Sequence, residues 1–198
     1  MIRYGFVKAL TTIIITVLMQ AGIVSSVTTT PHEAVTEFMD GLKSGDTAMM
    51  EKYLDNQYIN LLMNVSGDEA VVDRLYSALF EGFSYEIVEI LEKNDVAVAE
   101  VNVRGGDFSG VMDAYSSASY EYVTDNLYSD SIADKDALNA KCLEIYVEQT
   151  EAAAASGSVR EAVVYVPMTD DRFFGWNILV TDEMMAAVLG GLQVPVIQ

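Results

Sequence analysis

The sequence predicts an α+β domain in which a small antiparallel sheet of about four strands packs on helices, and three observations predict it. Apolar residues recur every three to four positions through residues 30–80. The period then falls to two in two paired runs, 83–104 and 159–180, each pair broken by a turn. Helical spacing returns between the two pairs and again after residue 181, so helices and hairpins alternate in blocks rather than as βαβ units.

The chain opens on a segment of another kind. Arg3 and Lys8 precede an apolar run of 11 residues, Ala9 to Met19, the composition of a secretory signal peptide. Val24-Ser25-Ser26 supplies small or branched residues for a signal peptidase, so cleavage is expected after Ser26, with Ala21 as the second site. The competing expectation is an uncleaved anchor, since Phe6 to Val27 is nearly apolar if Lys8 snorkels. Residues 1–26 are therefore assigned as signal peptide or membrane anchor, and 27–198 as a single α+β domain placed outside the cytoplasm.

Within that domain, Thr30-Pro31-His32-Glu33 has capping-box spacing with proline at the first helical position, and Val35, Phe38, Met39 and Leu42 follow on one face as far as Gly45. Asp46 caps a second short helix carrying Met49, Met50, Tyr53 and Leu54. Ser66-Gly67-Asp68 precedes a third with Val72, Leu75, Leu79 and Phe80. Phe83 to Leu91 and Val96 to Arg104 then form a hairpin about Glu92-Lys93-Asn94-Asp95, with Ala97, Ala99, Val101 and Val103 on one face and Glu100, Asn102 and Arg104 on a partly solvated one. After Gly105-Gly106, Asp107 or Ser109 caps a helix in which Val111, Tyr115, Ala118 and Tyr122 recur, and a second helix runs from about Asp134 to Ala155. Val159 to Val166 and Phe173 to Val180 make a second hairpin joined by residues 167–172. Thr181-Asp182 caps a closing helix that stops at Gly190-Gly191 and leaves a loose tail containing Pro195.

Composition narrows the function. The only basic residues in the leader are Arg3 and Lys8, and it holds no acidic ones. The remaining 172 residues therefore carry 30 acidic against nine basic side chains, a formal charge of −21. Such a field repels nucleic acid and anionic lipid headgroups, so no nucleic-acid partner is expected, and the membrane is met only through the N-terminal segment if it is uncleaved. A lone Cys142 forms no internal disulfide and reads as a packed small residue. His32, the one histidine, removes most catalytic triads and zinc sites, and no phosphate-binding glycine loop occurs. The Asp130–Asp136 stretch lacks the third-position ligand and sixth-position glycine of a calcium loop, so its aspartates, like Asp170-Asp171, read as turn and capping residues. Asn64-Val65-Ser66 matches a glycosylation sequon. No metal and no cofactor are expected.

The strings VAVAEVNVRGGDFSGVMDAY (96–115), FFGWNILV (173–180) and MMAAVLGGL (184–192) carry a resemblance. Together with the order of elements they are similar to exported NTF2-like (cystatin-like cone) lipoproteins of unknown function from Gram-positive bacteria, over much of the C-terminal two-thirds of the chain. Two departures stand out. Ser26 occupies the position of the lipoprotein cysteine, and two helices rather than one separate the hairpins. The resemblance implies a curved sheet with a concave face and an extra C-terminal helix, and leaves chemistry to the individual pocket. Among the 11 tyrosines, Tyr115 and Tyr122 on one helical face, together with Tyr85 and Trp176, are the candidates to line that concavity around a small ligand. The expected function is non-catalytic binding of a small ligand or partner protein. The alternatives are a lyase- or isomerase-type pocket enzyme, with Tyr115 beside Asp113 or Glu100 as acid and base, and a structural or oligomerising domain that uses the outer sheet face.

Overall fold

The computed structural model describes residues 30–63, 69–171 and 175–195. The expected leader with its Ser26 cleavage site, the Asn64 sequon, the Ser66–Asp68 cap and the Phe173-Phe174 pair lie outside them.

The first helix, α1 (Pro31–Ser44), starts as its sequence requires. The Thr30 side chain accepts from the Glu33 amide and the Glu33 carboxylate accepts from the Thr30 amide, which satisfies two of the donors a helix start leaves open. Gly45 ends the helix at φ 70°, a conformation in which a side chain is strained. Asp46 caps α2 (Thr47–Met50), which tightens into a 3₁₀ turn at Glu51–Tyr53. Leu54, expected on the apolar face, is exposed. A helix the sequence did not announce follows: α3 (Gln57–Met63), started by Asn56, whose Oδ1 accepts from the amides of Tyr58 and Ile59. Then come α4 (Glu69–Phe80), β1 (Ser84–Lys93), β2 (Val96–Gly106), α5 (Val111–Asp125), α6 (Asp130–Ala133), α7 (Lys135–Ala155), β3 (Val159–Asp170), β4 (Trp176–Ile178) and α8 (Asp182–Val188).

The four strands form one antiparallel sheet in the order β1-β2-β3-β4. With β2 paired to β3, the helices α5 to α7 are inserted between two adjacent strands. The expected two helices are thus three, the extra one being α6, with Asp134 capping α7 by accepting from the amides of Asp136 and Ala137. Three other boundaries shift for local reasons. Gly110, not Ser109 or Asp107, is the N-cap of α5, because the Asp107 carboxylate is engaged by the amide and hydroxyl of Ser109. The first turn tightens to Asn94-Asp95, with Asn94 at φ 58°. Strand β3 runs through Pro167 to Asp170 rather than stopping at Val166. The Pro167 carbonyl accepts from the amide of Leu179, so its nitrogen faces the β4 side and no hydrogen bond to β2 is lost.

Helices α1, α4 and α8 pack on the sheet, and α7 stacks on α4 and α5. The sheet contributes Ala97, Ala99, Val101 and Val103 from β2, with Val164, Val166 and Met168 from β3, as the alternation in β2 predicted. Tyr146, Phe38 and Phe108 are the bulkiest fully buried side chains. The C-terminal segment is not loose as far as residue 195. Leu192 is buried, and the hydroxyls of Tyr58 and Tyr146 donate to the carbonyls of Leu192 and Gln193 at 3.1 and 2.8 Å.

Candidate functional site: the open face of the sheet

The four aromatics singled out in the sequence take different partners. Tyr85, on β1, packs partly buried against the core and donates to Asp40 of α1 at 2.9 Å. Burial, and after it the Asp40 carboxylate, push its hydroxyl up to about 12. Tyr115, on α5, meets Tyr146 of α7 edge to face with centroids 5.6 Å apart. Burial raises its pKa, with Cys142 adding to the effect. Tyr122 is half-buried two turns further along α5. Trp176 is buried on the inner side of β4. The structure thus gathers Tyr115 with Tyr146 and Cys142, and Tyr85 with α1. It does not pair Tyr115 with either proposed carboxylate: Asp113 is exposed on α5, and Glu100 sits on the sheet face turned away from the core. Among the described residues no three His, Cys, Asp or Glu side chains are grouped to hold a metal ion. No described helix is long and apolar enough to cross a membrane.

The outer sheet face has a composition its position does not explain. An antiparallel sheet with one solvated face usually alternates apolar and polar residues. Here the register brings Leu91, Val98 and Pro167 into line across β1, β2 and β3, and the bond from the Leu179 amide to the Pro167 carbonyl extends the line past the end of β4. Leu91 is 65% exposed and Val98, Leu179 and Tyr165 are 40%, 49% and 61% exposed, so this row is covered by nothing among the described residues. The bulge between Ile87 and Glu89 turns Val88 outward as well, 51% exposed. Contiguous exposed apolar surface of this kind marks an interaction site more often than scattered single residues do.

Beside the apolar row lies an acidic one. Glu89 of β1 stands directly opposite Glu100 of β2, whose other neighbour is Tyr165 of β3. Like charges directly opposite each other across a strand pair are destabilising. Further along, Glu86 aligns with Asn102 and Val163, and Ser84 with Arg104 and Glu161. Arg104 is engaged with Glu161 at 3.1 Å. Among the described residues Glu86, Glu89 and Glu100 form no ion pair. The outward side chains at this end of the sheet border a shallow depression of about 470 Å³ that includes Glu86, Asn102, Arg104 and Val163. A larger cleft of about 980 Å³ lies elsewhere, between α1, α2, α3 and α4, with Met50, Leu62, Tyr76 and Phe80 in its wall. Of the four aromatics, Tyr85 borders the first depression, and Tyr115, Tyr122 and Trp176 line neither.

Sequence reasoning recognised the solvated side of β2 but not the apolar row. The signal was present in β3, where Ala162 to Met168 is apolar at every position, Tyr165 included. Such a run normally denotes a strand covered on both faces. Here only one face is covered.

No family model matches the chain, and no curated protein matches it. Among solved structures the chain is similar to a crystal structure from Bacillus subtilis provisionally described as a lipoprotein, at 18% identity and a TM-score of 0.39. The likeness covers 77% of this chain and 45% of the other, so this chain matches less than half of that structure's length.

Proposed function

We propose that this chain is an exported, non-catalytic binding domain on an NTF2-like scaffold, and that it meets a partner protein through the open face of its sheet. Residues 1–26 direct it out of the cytoplasm by cleavage after Ser26 or by anchoring, and residues 27–198 fold as one domain. The observation that carries this reading is the apolar row Leu91–Val98–Pro167–Leu179 with Tyr165 beside it, left uncovered on a protein whose formal charge of −19 otherwise suits it to solution. Aromatic and aliphatic side chains of this kind, ringed by polar ones, are the anatomy of a protein interface core. Of the two occupants that the composition allows, a protein suits a broad face with a shallow depression better than a small ligand, which favours a concave and mostly enclosing site.

The test is a double substitution, Leu91→Lys with Tyr165→Lys, introduced into the chain in its native host. The expected result is that the wild-type protein is recovered in a complex larger than one chain, whereas the variant is recovered as a free monomer with an unchanged melting temperature. Recovery of both proteins in the same assembly would refute the reading.

A further inference from the structure

Resting on the open sheet face as the partner-binding surface, we propose that its occupant is a cationic amphipathic polypeptide segment, an apolar ridge flanked on one side by Lys or Arg. Two independent features of the face specify this chemistry. The first is the apolar row, which crosses all four strand positions. At the usual strand separation of about 4.8 Å it is roughly 14 Å long. A helix with apolar residues at i, i+4 and i+7 presents a ridge of about 10 Å, which such a row accommodates.

The second is the carboxylate pair. Glu89 and Glu100 lie two residues along their strands from Leu91 and Val98, on the same face, which places them about 7 Å to one side of the row. Their direct cross-strand opposition is unfavourable in the free protein, and a cation seated between them relieves it. Glu86, on the same side, extends the acidic flank.

A second copy of this chain fits worse. It would bring a second set of Glu86, Glu89 and Glu100 against the first, and the two chains would each carry a formal charge of −19. An acidic or neutral amphipathic segment would cover the apolar row but leave the carboxylates desolvated without a counter-charge, which is costly.

The probe is a synthetic peptide of about 18 residues, on the order of five helical turns, with Leu on one face and Lys on the other. It is labelled and titrated by fluorescence anisotropy against the full chain. Two controls accompany it: the same pattern with Glu in place of Lys, and a scrambled Leu/Lys peptide of identical charge with no apolar stripe. The patterned Leu/Lys peptide is expected to bind at least tenfold more tightly than either control, and progressively more weakly as salt rises. Glu89→Gln with Glu100→Gln should weaken it roughly fivefold, and Leu91→Ser tenfold or more, with the melting temperature lowered in neither variant.

Equal binding of the scrambled peptide would reduce the effect to net charge and overturn the proposal. Binding of the Glu-patterned peptide that is lost in Leu91→Ser would overturn the cationic occupant yet leave the open face as the binding surface. Failure of the patterned Leu/Lys peptide to bind would overturn the proposal outright. Binding insensitive to both sets of substitutions would remove the proposal and the face together, and concentration-dependent self-association abolished by Leu91→Ser would assign the face to a second copy instead.

Discussion

Substituting Gly190 by alanine tests how the C-terminal segment is locked to the sheet. Gly190 has φ 59°, and a Cβ built on it would lie 1.9 Å from the carbonyl oxygen of Gly106 at the end of β2, and 3.1 Å from the Phe108 ring. Its own carbonyl accepts from the Phe108 amide at 2.9 Å. The left-handed conformation alone costs an alanine about 1–2 kcal/mol. The clash is with backbone, so relief requires the two segments to separate by more than an ångström, which sacrifices the Phe108 hydrogen bond, worth about 1 kcal/mol, and loosens a fully buried ring. The total is about 3–5 kcal/mol, placing it among the large single-site effects. At about 2–4 °C per kcal/mol for a chain of this size, the melting temperature should fall by roughly 10 °C. Gly157 is the control. It has φ 72° with nothing within 4 Å of a built Cβ, so its alanine variant meets only the conformational cost that the two variants share, about 2–8 °C. Calorimetric melts of the two variants that agree to within about 2 °C would refute the close approach of Gly190 to β2.

The remaining predictions concern single side chains. Tyr146→Phe leaves the Gln193 carbonyl without its 2.8 Å donor and should cost about 1 kcal/mol by chemical denaturation, with protection against carboxypeptidase lowered in parallel. Glu151→Gln breaks a bidentate pair with Arg74, but both groups are more than a third exposed, so the midpoint should move by no more than about 0.5 kcal/mol. Tyr85 has its folded pKa raised to about 12 from the ordinary 10.0, so its contribution is fully present below pH 10 and is lost as pH rises through about 12. Tyr85→Phe should therefore flatten the decline in stability over that interval, and a decline of the same slope in both proteins would count against the burial of the Tyr85 hydroxyl beside Asp40. Leu91→Ser removes an exposed side chain and should leave the melt of the isolated chain within about 0.5 kcal/mol of wild type.

Much of this fold was legible because the local signals agree with one another. The Thr30–Glu33 capping box, the Asp46 and Asp134 caps and the alternation of Ala97 to Val103 each specify an element without reference to the rest of the chain. The misses arose where tertiary structure decides. Helix α3 is a seven-residue element whose Tyr58, Ile59, Leu61 and Leu62 are buried, which is too short and too apolar to show a clear period. Pro167 looked like a strand terminator until the register placed its nitrogen on the β4 side. The surplus of tyrosines suggested a pocket. In the structure several of them make specific polar contacts: Tyr58 and Tyr146 with C-terminal carbonyls, Tyr85 with Asp40, and Tyr76 with the Met50 sulfur; Tyr85 and Tyr76 also border the two depressions. The candidate site was the least legible part. A row formed by Leu91, Val98, Pro167 and Leu179 exists only once four strands are in register, and the bulge between Ile87 and Glu89 decides which way the end of β1 faces.

The most direct measurement of the central claim is site-specific photo-crosslinking in the native host. A benzophenone side chain is placed at Tyr165, in the open face, and in a second strain at Tyr128, which is exposed in the α5–α6 connection. A discrete adduct with one other protein at position 165 and none at position 128 is the expected outcome. No adduct at 165, or an adduct only with another copy of this chain, would contradict the open face as a partner-binding surface.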